Sequence, residues 1–148
     1  MRKLFQIFTF SILIITSCKK EKSEPTFDCT ITKINILSIP ERNYKGEKWD
    51  SLDNPDIFMK LVNWGEILDD SSNRFENNST YPLNWTPYRP FRCFGEKHQW
   101  IAIMEFDSLK GEEVIAAWDF VPSTYQNRPK IINLKSGLSS INLEIDWW

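Results

Sequence analysis

The stretch EFDSLKGEEVIA, Glu105 to Ala116, places four carboxylates (Glu105, Asp107, Glu112 and Glu113) within nine residues, between the apolar runs WIAIM and VIAAW. Carboxylates gathered this closely can serve as acid and nucleophile on a glycosidic bond, ligate a hard cation, or stay solvated at a loop end. Glu105 and Asp107 stand at i and i+2, on one side of one strand end, whereas a glycosidase pair flanks the scissile bond. That spacing suits metal ligation better than hydrolysis. Other catalytic material is sparse. His98 is the sole histidine and lies in the polar turn GEKHQ, so there is no histidine cluster for zinc and no nucleophile paired with a base. No glycine-rich phosphate loop is present. The expectation is a binding protein, not an enzyme.

The elements that would position these carboxylates follow a period of two. CTITKINILSI alternates from Cys29 until Pro40 breaks it, and further strands are predicted at 56–62, weakly at 66–76, and at 91–94, 100–106, 114–120, 130–134 and 140–148. No window carries a long apolar repeat of 3.6 residues. The eight prolines fall between these segments or at their edges, where a missing N–H is tolerated. Seven or eight short strands in one chain of this length predict an antiparallel β-sandwich over 29–148. Six of the ten Phe and all seven Trp fall within these residues and supply apolar bulk for its core.

The amino terminus, MRKLFQIFTFSILIITSCKK, has a basic start at Arg2 and Lys3, an apolar run from Leu4 to Ile15, and small residues before Cys18. This is the layout of an export signal, too short for the ~20 apolar residues of a transmembrane helix. Ile15-Thr16-Ser17-Cys18 resembles the bacterial lipobox. The resemblance implies a signal peptide over 1–17 and a mature chain anchored in a membrane through acyl groups, palmitate among them, on Cys18. The following residues, 18–28, have the charged, Pro-containing composition of a tether that reaches roughly 35 Å when extended. Its Lys and Glu residues are similar to the export tags of surface lipoproteins in the Bacteroidetes group. The expected location is periplasmic or at the cell surface. Without Arg2 and Lys3, 16 basic residues face 20 acidic ones, and no basic stripe exists to bind nucleic acid.

Three segments of the domain resemble a C2 domain, the eight-stranded sandwich that usually binds calcium through loops at one end. KWDSLDNPDIFMKLV carries Asp50 and Asp56 six apart, with Asp56-Ile57-Phe58-Met59-Lys60 where the family has Asp-Pro-Tyr-Val-Lys. YPLNWTPYRPFRCF looks like the family's approach to the next strand. Glu105, Asp107 and Glu113 keep the family's acidic spacing ahead of Val114-Ile115-Ala116. The resemblance implies calcium held by Asp50, Asp56, Glu105, Asp107 and Glu113, with anionic headgroups or a protein as partners. Calcium needs six to eight oxygens, which two loops can supply only when rigid strands bring them together. Glu105 and Glu113 depart from the family's aspartates.

The C2 arrangement also makes the strands of Cys29 and Cys93 antiparallel neighbours. In an exported chain this implies a disulfide that contributes about 3 to 4 kcal/mol. The tryptophans at 64, 85, 100, 118, 147 and 148 are expected to pack in the core or at its edges. Trp49, beside Asp50, is expected to pack beneath the first acidic loop; exposed instead, its ring could enter a headgroup layer or stack on a sugar. A calcium-free sandwich that binds a glycan or protein through Trp49 and the loop 77–90 is therefore the alternative. Two Asp-Ser-Leu triplets, at Ser51 and Ser108, resemble the O-glycosylation acceptor of Bacteroidetes exported proteins.

Overall fold

The computed structural model describes residues 26–49, 54–63, 66–70, 74–76, 80–107 and 110–148. Residues 1–17, expected to form a signal peptide, and Cys18, Asp50, Ser51 and Ser108 lie outside these residues. The described chain forms nine strands: β1 (Cys29–Ser38), β2 (Ile57–Asn63), β3 (Glu66–Asp69), β4 (Leu83–Trp85), β5 (Phe91–Cys93), β6 (Gln99–Asp107), β7 (Gly111–Phe120), β8 (Ile131–Ser136) and β9 (Ser139–Trp147). One sheet runs β4-β1-β9-β8, with β5 also paired to β1, and the other runs β3-β2-β6-β7; every pairing is antiparallel.

β1 organises the first sheet. Its start pairs with β5 and its second half with β4, so two short strands lie end to end along one of its edges. Between them, at Thr32 and Lys33, neither strand is opposite, and the register with β9 shifts at this point. The bulge explains a change of parity in the sequence, since Ile31 points inward on one side of it and Ile34 and Ile36 on the other. β9 needs no such device: Ile141, Leu143 and Ile145 face inward at strict alternation.

The core lies between the sheets. Ile31, Ile34, Ile36, Trp85 and Phe91 of the first sheet meet Ile57, Met59, Leu61, Ile101, Ile103 and Phe120 of the second, all essentially without solvent exposure. Each buried aliphatic side chain contributes about 1.5 to 3 kcal/mol relative to exposure. Of the two tryptophans in this core, Trp85 donates its indole N–H to the Asp70 carboxylate, whereas the buried Trp118 indole has no hydrogen-bond partner among the described residues. The alternation predicted all the long strands to within three residues. It did not find β4, three residues of LNW inside a Pro-rich stretch, whose pairing with Ile34–Ile36 is a tertiary property.

Candidate functional site

β6 and β7 form a tight hairpin. Glu112 and Glu113 belong to β7 and not to a long loop, since the strand begins at Gly111, whose φ of 86° suits glycine at the turn. The charge cluster therefore becomes two rows on opposite faces of a sheet. Glu112 faces outward and meets Lys60, whose ammonium lies 3.3 Å from it and 2.9 Å from Asp69. The Asp69 hydrogen bond, with that of Glu112, holds the Lys60 pKa above the ordinary lysine value against the opposing effect of burial. Glu105 and Glu113 are directly opposite one another across the hairpin, with Ile57 on the other flank of Glu105. Glu105 has no solvent exposure, and Asp107 is 5% exposed. The buried Oε2 of Glu113 has no hydrogen-bond partner among the described residues.

Cations of the chain already stand beside two of the expected ligands. Arg74 Nε lies 3.3 Å from Asp56 Oδ2, and the guanidinium covers the Phe106 ring at 4.7 Å. Lys110 approaches Asp107 with its ammonium at 3.5 Å and donates its backbone N–H to Oδ1 at 3.2 Å. Asp56 is fixed next to the hairpin by the bond from Phe106 N to its carbonyl, 3.0 Å. The structure thus gathers Asp56, Glu105, Asp107 and Glu113 at one end of one sheet. Among the described residues, however, no three His, Cys, Asp or Glu side chains are placed to hold a metal ion together. Asp50, the fifth ligand the resemblance implies, is outside the described residues.

Trp49 packs inward, as expected of it, and this takes it out of the candidate binding residues. It is 5% exposed, and its indole donates to the Pro40 carbonyl at 2.8 Å. The hydrogen bond closes the chain between β1 and β2 and leaves no ring face for a ligand. Exposed aromatics are Tyr44, in the same connection between β1 and β2, and Tyr88, Phe94 and Trp148 at the opposite end of the sandwich. That end is the one where β5 crosses to β6 and where Asn63 donates to the Arg92 carbonyl at 2.7 Å. His98 also lies there, with Nδ1 2.6 Å from Asp119 Oδ2 and both side chains exposed.

Cys29 and Cys93 occupy the same end and are direct cross-strand partners on β1 and β5, both wholly buried. The antiparallel neighbourhood expected of them is correct. The structure carries them as thiols without a bond between the sulfurs. The hydrogen bond to the Cys29 thiol, with burial, pushes the Cys93 thiol far above the ordinary range, so the Cys93 sulfur is not a ready nucleophile here.

No family model matches the chain, and no curated protein matches it. Its architecture is similar to the paired C2 domains of extended synaptotagmin 2, at a TM-score of 0.51 and 8% identity, covering 97% of this chain and 48% of that one. It is likewise similar to human GIVD cytosolic phospholipase A2, solved with methyl gamma-linolenyl fluorophosphonate, at a TM-score of 0.51 and 12% identity over 82% of this chain. The chain spans about half the length of the first structure and 17% of the second. The fold is a C2-like antiparallel β-sandwich.

Proposed function

We propose that the protein is a bacterial lipoprotein, held at a membrane through Cys18, whose C2-like sandwich is an interaction domain that takes calcium weakly at the acidic hairpin. The observation that supports this reading is the opposition of Glu105 and Glu113 across β6 and β7, two like charges on one face with Glu105 fully buried. Like charges directly opposite are destabilising, and a divalent cation relieves them. Asp107 and Asp56 would complete the oxygen set with Asp50, in competition with Lys110 and Arg74. Calcium would supply charge neutralisation, and the anionic headgroup or protein bound there would complete its coordination. We assign the domain binding and not catalysis.

Calcium titration followed by calorimetry and thermal melting tests the cation directly. Binding is expected in the millimolar range, and Arg74→Ala with Lys110→Ala should tighten it several-fold by removing the internal competitors. No heat and no rise in melting temperature at ~10 mM calcium, in both chains, would end this reading. Replacement of Cys18 by Ser should release the protein from the membrane fraction.

A second reading, a calcium-free sandwich that binds a glycan or protein, has its own support, because Arg74 and Lys110 already neutralise part of the acidic end. We further propose that Cys29 and Cys93 close into a disulfide after export. Their direct cross-strand register, which brings the Cβ atoms to about 4.5 to 5.5 Å, supports it.

A further inference from the structure

The end of the sandwich remote from the acidic hairpin carries a cleft of about 630 Å³ on the outer face of the β1 sheet. The interrupted edge of β1 creates it. The chain leaves β4 at Trp85 and rejoins at Phe91, and the intervening Pro-rich segment stands out as a wall beside the bulge at Thr32. Strand alternation builds the floor. Thr30 lies between buried Cys29 and Ile31, and Arg92 between buried Phe91 and Cys93, so both face outward. Thr30 is in register with Arg92 on one side and with Asp146 on the other. A guanidinium, a hydroxyl and a carboxylate thus form one row across three strands, with about 10 Å between the outer Cα atoms.

The rings that flank this row are exposed yet held. Trp148 is 54% exposed, but its backbone N–H donates to Asp28 O at 3.1 Å and its indole donates to Thr30 Oγ1 at 3.2 Å. Tyr88, 64% exposed, sits on the wall that Arg89 ties to the second sheet through Glu66 at 3.0 Å and the Ile67 carbonyl at 3.2 Å. Large aromatics exposed to water at fixed positions offer apolar area with little entropy left to lose on binding. Among the described residues neither the Arg92 guanidinium nor the Asp146 carboxylate has an ion-pair or hydrogen-bond partner. The floor therefore holds one donor fork and one acceptor with no net charge.

From this juxtaposition we propose that the cleft binds a neutral saccharide of one or two pyranose units. The C–H face of a pyranose, weakly positive at its edge, stacks on the negative face of an aromatic ring. Its hydroxyls accept from Arg92 and donate to Asp146, and both side chains can make these bonds without breaking an existing one. The cleft volume lies within the range of small-ligand sites. On the floor one positive group balances one negative, and Arg89 of the wall is already paired with Glu66, which argues against a polyanion such as a phosphate-rich headgroup or nucleic acid. The site is separate from the acidic hairpin, so the two stand or fall independently.

The test uses the full chain in detergent micelles with cellobiose, maltose, chitobiose and mannobiose as probes, read by tryptophan fluorescence and saturation-transfer NMR. At least one disaccharide should bind with a Kd of ~1 mM or tighter, and Trp148→Ala should weaken it at least about tenfold. Leu138→Ala, in the exposed turn at the far end of β9, should change nothing. Arg92→Ala and Asp146→Asn, on the solvent face, carry the same expectation as Trp148→Ala should the tryptophan variant melt abnormally. An unchanged Kd in Trp148→Ala and Arg92→Ala overturns the proposal. So does the absence of binding to all four sugars at ~10 mM, whether or not anionic vesicles bind in their place.

Discussion

The two ends of the sandwich handle charge in opposite ways. At the β6–β7 hairpin, carboxylates point between the sheets, Glu105 is excluded from water, and Arg74 and Lys110 stand beside the neighbouring acids. At the cleft end, Arg92 and Asp146 point out from the sheet on either side of Thr30, unpaired among the described residues. A buried charge costs free energy unless compensated, whereas an exposed one costs little and remains available to a ligand. The hairpin end is thus coupled to stability, and the cleft end to recognition.

The largest test of that division concerns the cleft floor. Thr30 and Arg92 each follow or precede a member of the Cys29–Cys93 pair, so a disulfide would fasten the floor without touching the hairpin. Oxidised protein should be more stable than reduced protein by about 4 kcal/mol. That corresponds to a melting temperature higher by roughly 10 °C or more. Equal thiol titration and equal melting with and without reductant would remove the bridge, leaving the floor held by hydrogen bonds alone.

A smaller effect is expected at the hairpin. Glu113→Gln removes one of two opposed carboxylates, and without calcium it should raise stability by about 0.5 to 1 kcal/mol in urea unfolding. It should also abolish any rise in melting temperature with calcium. A loss of stability of similar size would show that the Glu105–Glu113 pair is compensated within the chain. The comparison between the ends would then collapse.

The smallest expected effect is alkaline. Burial raises Tyr81 to about 12, and the Asp69 hydrogen bond raises Lys60. Both groups keep their protons in the folded state at a pH where the unfolded chain gives them up. Their contributions are complete below pH ~10 and are lost as pH rises through the folded values, toward 12 for the tyrosine. The buried Tyr81 hydroxyl has no partner among the described residues, so Tyr81→Phe should be close to neutral at pH 7 and flatten that limb. Both groups belong to the hairpin side of the division, because Lys60 meets Glu112 and Tyr81 precedes the pairing of Leu83 with Ile36. A cleft-end variant such as Arg92→Ala should leave the alkaline limb unchanged.

Much of the fold was legible because alternation records which side of a strand is buried. β9 is the clearest instance, with Ile141, Leu143 and Ile145 inward, and β6 and β2 follow with Ile101, Ile103, Met59 and Leu61. β4 was not legible, since three residues carry no periodicity of their own. The start of β7 lies at Gly111 and not at Val114 as expected, because Glu112 and Glu113 interrupt the apolar run and only the pairing with Phe106 and Glu105 makes them strand residues. Trp148, expected with the packing tryptophans, is exposed, whereas the one tryptophan weighed as an open ring, Trp49, is buried. Exposure of an aromatic depends on which surface the rest of the chain covers, and the sequence does not state that.

The sequence by itself determined the two-sheet class, the inward faces of the long strands and the direct neighbourhood of Cys29 and Cys93. These follow from the period of two, from proline placement and from the order of features shared with C2 domains. Tertiary structure decided which groups are in reach of one another. It divided a run of four carboxylates between two faces of a sheet, gave Glu112 to Lys60, buried Trp49 against Pro40, and set Thr30 between Arg92 and Asp146. The physical reason is the same throughout: chain order fixes which side a residue faces, but only the register between distant strands fixes what it faces.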